Sequence, residues 1–157
     1  MNILILGLSC SGKTTFANKL GKLLNLQVEH LDSYFWKSAW VRNDDFNIDN
    51  FIGKPNSIID GNYFQYSFSE RLQQCDLVIY IDCNIFIRII RMIKRHVCFV
   101  LNPANKNEVS QKITPYFIFL TIYKQLFYQP KILNYLKEFY SPKFIYIKNI
   151  KKIYIGN

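Results

Sequence analysis

Cysteine and histidine are scarce in this sequence, and their spacing gives no sign of a metal–thiolate centre. There are four cysteines and two histidines, and no two cysteines stand in a C-x-x-C pair, so a zinc site of that kind is not expected. Glycine and proline are also few, at six and five residues, whereas half of the chain is hydrophobic and 17% is aromatic. This composition excludes a fibre or a disordered tail and predicts a domain with a substantial core.

Long hydrophobic runs are missing as well. The longest largely apolar run, residues 113–123, has eleven residues and contains Pro115, which makes it too short to span a bilayer. No charged segment with a cleavage site precedes the first apolar stretch, so we expect no signal peptide. Together with the cysteine usage, these absences favour a cytoplasmic protein with no membrane partner.

Acidic residues are rare in the second half of the chain. Residues 86–157 contain thirteen Lys and Arg against two Asp and Glu, a net charge of +11, whereas residues 1–85 contain seven against nine, a net charge of −2. A basic half favours anionic partners such as nucleotides, nucleic acid or a membrane surface. For most individual lysines, a solvated helix face is the simpler interpretation.

Short apolar segments alternate with helical patterns, which predicts βαβ units and a parallel sheet covered on both faces. The five predicted strands lie at 2–6, 27–31, 57–59, 77–81 and 144–147. The predicted helices lie at 13–24, 44–52, 69–74, 84–100 and 116–140, the last interrupted near Pro130, and 33–41 is predicted to be an aromatic loop. No repeat or linker divides the sequence, so residues 1–157 are expected to form a single domain.

The first predicted strand runs into the motif G-x-x-x-x-G-K-[ST], which is typical of a phosphate-binding P-loop. Glycines let the backbone N–H groups of such a loop turn toward phosphate oxygens, and the next helix adds its positive N-terminus. Lys13 is expected to reach the β- and γ-phosphates of ATP, and the Thr14 hydroxyl to bind Mg²⁺. The predicted nucleotide-binding residues are Gly7, Leu8, Ser9, Cys10, Ser11, Gly12, Lys13, Thr14 and Thr15.

Three predicted strands are followed at once by an aspartate: Asp32, Asp60 and Asp82. The carboxyl ends of parallel strands line the ligand crevice of an open α/β sheet, so all three are candidates for the site. Asp60 is predicted to hold Mg²⁺ through a water molecule. Asp32 is expected to accept the proton of an acceptor hydroxyl or to orient that group. Asp82 is either a further acid of the magnesium shell or the N-cap of the next helix.

Three arginines share one face of the predicted helix at 84–100. Arg88, Arg91 and Arg95 are spaced i, i+3 and i+7, which places them together. The apolar side of this helix consists of Ile89, Ile90, Ile93 and Val97. Arginines stabilise the charge that spreads over a transferred phosphoryl group, so a role in catalysis is predicted. A solvated face or a nucleic-acid contact is the alternative.

Aromatic residues follow both Asp32 and Asp60, in the segments 34–40 and 63–66. They would either stack on a base or ring of the ligand or fill the core beneath a small lid. The sequence does not decide between these interpretations.

In their order along the chain, these motifs resemble the family of DNA topology modulation proteins, which is grouped with adenylate-kinase-related P-loop kinases. The resemblance rests on the P-loop, on "HLDSYFW" from His30, on "IIDGNY" from Ile58, on "CDLVIYID" from Cys75 and on "RIIRMIKR" from Arg88. It implies a three-layer α/β/α fold with a five-stranded parallel sheet of order 2-3-1-4-5. It also implies ATP and Mg²⁺ as ligands and an arginine-bearing lid at about 84–112.

These observations lead to the hypothesis of an ATP-dependent kinase that phosphorylates a small acceptor such as a nucleoside or nucleotide. Its candidate catalytic residues are Lys13, Asp32, Arg88, Arg91 and Arg95. The competing hypothesis is a DNA-associated regulator that binds ATP without phosphoryl transfer. It is favoured less, because the sequence carries no helix-turn-helix or RNA-binding signature. The sequence identifies neither the acceptor nor the oligomeric state.

Overall fold

A parallel β-sheet forms the centre of the computed structural model, which describes residues 1–37, 41–101 and 114–148. Its strands are β1 (Ile3–Leu6), β2 (Gln27–His30), β3 (Ser57–Asp60), β4 (Leu77–Asp82) and β5 (Phe144–Lys148). They lie in the order β2-β3-β1-β4-β5, and every pairing is parallel. The sheet and the strand order expected from the sequence are therefore confirmed.

Within the described residues, six α-helices connect and cover the strands. They are α1 (Lys13–Leu24), α2 (Leu31–Phe35), α3 (Phe68–Gln74), α4 (Ile85–Leu101), α5 (Pro115–Tyr123) and α6 (Gln129–Tyr140). Residues 102–113, which form the distal part of the predicted lid, lie outside the described residues. None of the helices in the described part of the chain is long and apolar enough to cross a bilayer.

The side chains of β1 alternate between two hydrophobic clusters, one on each face of the sheet. One face buries Ile3 and Ile5 against Phe16 and Ala17 of α1. The other buries Leu4 and Leu6 together with Leu72 of α3 and Leu136 of α6. A strand that is apolar at every position is typical of a sheet covered on both faces, so β1 is the central strand of a three-layer core.

Two segments differ from what the sequence predicted. Residues 33–41 were expected to be a loop, but α2 follows β2 directly because Leu31 and Phe35 are buried and hold this short helix against the core. A helix was expected at 44–52, yet only Ile48–Phe51 forms a 3₁₀ turn. The Asn47 side chain accepts a hydrogen bond from the Asp49 N–H at 2.9 Å, and such local bonds compete with α-helical ones.

The predicted interruption near Pro130 is confirmed. A π-helical turn at Lys124–Tyr128 separates α5 from α6, and Pro130 lies in the first turn of α6. A proline ring clashes with the carbonyl group four residues earlier in a regular helix. Because the regular helix is interrupted by the wider π turn, Pro130 lies at the start of α6, where proline is tolerated.

A side-chain hydrogen bond ties β5 to the end of β4. Tyr146 donates its hydroxyl proton to Oδ2 of Asp82 at 2.5 Å. Burial would raise the pKa of Asp82, but hydrogen bonds from Tyr146, Gln129 and Gln125 outweigh it and hold this pKa below its ordinary value. Asp82 is not the N-cap of α4, because the Asn84 side chain accepts from the Phe86 N–H at 2.9 Å.

Replacing Tyr146 with phenylalanine should lower the free energy of unfolding by about 1 kcal/mol at pH 7, because a partly exposed hydrogen bond to a carboxylate is lost. The depressed pKa of Asp82 stabilises the fold above the unfolded value of about 4 and is lost as the pH falls through the folded value. Urea unfolding should therefore show a smaller difference between the two proteins at pH 3 than at pH 7. Tyr116→Phe, at an exposed tyrosine, is the control, and an equal loss at both pH values would contradict the assignment.

Candidate functional site

The turn between β1 and α1 has the backbone conformation of an anion-binding loop. Cys10 and Gly12 have φ angles of 61° and 101°, and such left-handed residues curl successive N–H groups into a nest. The first turn of α1 contains no acidic residue, so the positive end of the helix dipole is unopposed. A Cβ atom on Gly7 would lie 2.3 Å from the Ile81 carbonyl oxygen, so only glycine allows this approach to β4.

Asn62 fixes the first glycine of the loop. The Gly7 N–H donates to Oδ1 of Asn62 at 3.0 Å, and Nδ2 of Asn62 donates to the Gly7 carbonyl at 2.8 Å. One amide side chain thus satisfies both polar groups of Gly7 across 55 residues of sequence. This contact couples the P-loop to the segment that follows β3.

The arginines of α4 bind the carbonyl groups of the P-loop. Nε of Arg88 donates to the Ser9 carbonyl at 2.8 Å, and its Nη1 donates to Gln125 in the π turn. Nη1 of Arg91 lies 3.1 Å from both the Cys10 and Ser11 carbonyl oxygens. Arg88 is 1% exposed, and burial lowers its pKa. The third predicted arginine, Arg95, is exposed and makes no such contact with the described residues.

Lys13 lies at the mouth of the loop and folds back over it. Its Nζ donates to the Leu8 carbonyl at 3.3 Å. Burial lowers the pKa of Lys13, and the carboxylates of Asp60 and Asp32 offset part of that effect. A polyphosphate beside this amine would favour its charged form further, so the group is suited to an anionic ligand.

Thr14, Asp60 and His30 meet at the carboxyl ends of three neighbouring strands. The Thr14 hydroxyl donates to Oδ2 of Asp60 at 2.8 Å, and Nδ1 of His30 lies 3.0 Å from the same oxygen. The hydrogen bond to Asp60 raises the pKa of His30. Oδ1 of Asp60 is buried and has no hydrogen-bond partner among the described residues. A buried carboxylate oxygen without a partner, next to a threonine hydroxyl, fits a hard cation such as Mg²⁺.

Asp32 lies on α2, close enough to Lys13 for its charge to act on that amine. It is exposed, and the Tyr63 hydroxyl donates to its Oδ1 at 2.6 Å. The aromatic rings near Asp32 pack against one another. Phe35 is buried, and its ring centroid lies 4.7 Å from those of both Trp36 and Tyr63. These rings therefore form a wall beside Asp32, which favours the core-filling interpretation for Phe35. Trp40 lies outside the described residues.

A buried arginine organises the loop that carries Asn62 and Tyr63. Arg71 is 2% exposed, and its Nη2 donates to the Asn62 and Tyr63 carbonyls at 2.8 Å each. Burial lowers its pKa to about 10. This single side chain binds several carbonyl groups of residues 61–66, so it holds the loop after β3 in one conformation.

The sequence patterns did not single out His30, Asn62 and Arg71 as parts of the site. A signal existed for His30, since it is the register partner of Asp60 on the adjacent strand, and the predicted order of β2 and β3 would have brought them together. Asn62 binds backbone groups 55 residues away, and Arg71 binds carbonyl groups of the irregular segment before its own helix; neither contact leaves a sequence pattern. Thr14 and Asp60, in contrast, are in direct contact, and both Asp60 and Asp32 act electrostatically on Lys13, so these four predicted residues belong to one region of the protein.

Comparison with solved structures shows the same fold in kinases. The chain is similar to deoxyadenosine kinase from M. mycoides, solved with bound dCTP, at 16% identity over 96% of this chain and 93% of that one, with a TM-score of 0.53. It is also similar to a candidate kinase from Chloroflexus aurantiacus J-10-fl, at 16% identity over 76% of each chain, with a TM-score of 0.54. No family model and no curated protein matches the sequence. These likenesses show a shared fold.

Substituting Asn62 with alanine should lower the free energy of unfolding by about 2 kcal/mol, since both polar groups of Gly7 lose their partner in a half-buried position. Nucleotide binding should weaken as well, because the first glycine of the loop is no longer fixed. Chemical unfolding and titration with a nucleotide measure the two effects. Asn50→Ala, at an exposed asparagine, is the matched control, and equal behaviour of the two variants would disprove the role of Asn62.

Proposed function

We propose that this protein is an ATP-dependent kinase that transfers the γ-phosphoryl group of ATP to a hydroxyl group of a small acceptor. The observation that carries the proposal is the meeting of three parts at one edge of the sheet: a braced P-loop with Lys13, the Thr14–Asp60 pair, and the exposed carboxylate of Asp32. The fold shared with a deoxyadenosine kinase makes a nucleoside or nucleotide the first acceptor class to test. The motif resemblance to DNA topology modulation proteins is compatible with this proposal.

The P-loop would bind the phosphates of ATP. Backbone N–H groups and the N-terminus of α1 bind phosphate oxygens, and Lys13 leaves the Leu8 carbonyl to bind the β- and γ-phosphates. Arg88 and Arg91 keep the loop in shape through its carbonyl groups. Arg95, one turn further along α4, is exposed and is the arginine of the three that we propose for contact with a ligand.

The Thr14–Asp60 pair is the proposed magnesium site. Thr14 would bind the ion directly, and Asp60 would hold its water ligands. Bound there, Mg²⁺ neutralises charge on the β- and γ-phosphates. His30 holds Asp60 in position through Nδ1, and its own Nε2 lies 2.9 Å from Oδ1 of Asn18.

Asp32 is the proposed base or positioning group for the acceptor. Its Oδ1 accepts from Tyr63, which fixes the carboxylate, and Oδ2 has no hydrogen-bond partner among the described residues. A new bond forms between the acceptor oxygen and the γ-phosphorus while the bond from that phosphorus to the ADP oxygen breaks, and the acceptor proton goes to Asp32. Lys13 stabilises the negative charge that develops on the departing ADP.

Lys13→Ala should lower the rate of acceptor-dependent ADP formation by about 100-fold or more, with little loss of stability. The measurement is ADP production from Mg-ATP with a panel of nucleosides, nucleoside monophosphates and small hydroxylated metabolites. Lys19→Ala, on the same helix and exposed, is the matched control and should keep full activity. Normal turnover by a folded Lys13→Ala protein would refute the proposal.

The same assay separates the kinase from the regulator hypothesis. Tight ATP binding with no acceptor-stimulated turnover across the panel would count against the kinase. DNA binding that weakens steeply with salt would then support a nucleotide-dependent DNA regulator.

Asp60→Asn and Asp32→Asn should separate binding from transfer. Asp60→Asn should weaken nucleotide binding by about 10- to 100-fold in Mg²⁺, as expected for loss of a metal-orienting carboxylate, with no change in EDTA. Asp32→Asn should leave Mg-ATP affinity unchanged and lower the turnover number by about 100-fold. Each variant is the control for the other, and the assignments fail if both change the same quantity.

A further inference from the structure

Helix α4 is oriented with Arg88 and Arg91 inward. Arg88 is 1% exposed and Arg91 is half-buried, and both contact the P-loop. Met92 also faces inward, where it contacts Thr121 of α5. Of the four residues predicted to form the apolar side of this helix, Ile89 is half-buried. The other three, Ile90, Ile93 and Val97, are 64%, 47% and 46% exposed. The apolar face of α4 therefore has no partner among the described residues.

The exposed apolar residues of α4 follow a regular spacing. Phe86, Ile90, Ile93, Val97 and Val100 are separated by four, three, four and three positions, and Leu101 extends the row. This alternation is the seam along which two helices pack in a coiled coil. We refer to these six residues as the α4 seam. No charged side chain interrupts it.

We propose that the α4 seam binds the α4 seam of a second copy of this chain, which gives a twofold-symmetric dimer. The six side chains of the seam are between 46% and 77% exposed, and at roughly 100 Å² each they present on the order of 600 Å². Two seams together would bury roughly 1,200 Å², which reaches the lower end of specific protein interfaces. Such a patch is at the upper limit of what a monomeric protein exposes.

A second copy fits the seam better than a foreign partner of opposite charge. The seam offers no hydrogen-bonding or charged group for such a partner to recognise, whereas an identical helix supplies the same spacing and length. Lys94 borders the seam, and α4 contains no acidic residue. Its long side chain can extend into solvent at the rim, where its repulsion from Lys94 of the second copy is screened by salt. The dimer should thus strengthen as salt rises.

The test is sedimentation equilibrium of the full chain over a wide concentration range. The wild type should sediment at twice its mass of 18.7 kDa. Ile93→Glu should raise the dissociation constant by at least about 100-fold, because it buries a charge in the seam. Leu23→Glu, at an apolar residue of α1 that is 58% exposed, is the matched control and should remain dimeric.

A folding check and two further variants distinguish loss of the dimer from loss of the fold. Circular dichroism checks that each variant is folded, and Ile90→Ser, a milder change in the same seam, must weaken the dimer as well. Phe119→Glu probes the exposed aromatic side of α5 and should leave the dimer intact. A monomeric wild type at all concentrations would overturn the proposal. So would a dimer that survives Ile93→Glu or dissociates in Phe119→Glu, or one that weakens with salt.

Discussion

A loop that binds phosphate has to keep several of its N–H groups free of protein partners, so its shape must be imposed through its other atoms. In this protein, hydrogen bonds to the carbonyl groups of the loop impose its shape. Arg88 and Arg91 bind the carbonyls of Ser9, Cys10 and Ser11, and Asn62 binds both polar groups of Gly7. The P-loop conformation therefore depends on α4 and on the loop after β3 as much as on its own glycines.

Burying arginines for this purpose has consequences for the rest of the fold. A charged group that leaves water needs hydrogen-bond partners in the protein. Arg88 and two terminal nitrogens of Arg71 obtain them from carbonyl and amide oxygens, whereas Nε of Arg71 has no partner among the described residues. Their positive charges are not cancelled by direct ion pairs within the described residues, so Arg88 adds to a local potential that favours a polyphosphate. The same inward orientation turns the apolar face of α4 toward solvent. The P-loop support and the exposed seam are two faces of one helix.

The sequence predicted those parts of the protein that are local or periodic. The apolar strands, the P-loop motif and the aspartates at strand ends follow from such patterns, and the structure places Lys13, Thr14 and Asp60 together. The spacing of apolar and charged residues along α4 was also predictable. Such a spacing does not show which face of the helix is buried. The apolar face is the usual one, but in α4 Arg88 is buried and the apolar face is exposed. His30 and Asn62 were missed because their partners, Asp60 on β3 and Gly7 of the P-loop, are distant in sequence. Helix α2 was missed because it is short and is held in place by the burial of Leu31 and Phe35.

The strand order itself explains how the proposed parts of the site are arranged. β2, β3 and β1 are neighbours, and their register brings His30 beside Asp60 and Asp60 beside Ile5, one residue before the end of β1. Asp32 follows β2, Asp60 ends β3, and the P-loop follows β1. Along the edge of the sheet, the carboxylate proposed for the acceptor, the carboxylate proposed for the metal and the P-loop therefore follow one another in that order. A phosphoryl group passing from nucleotide to acceptor would move across the end of β3, where Asp60 has its buried oxygen without a partner among the described residues.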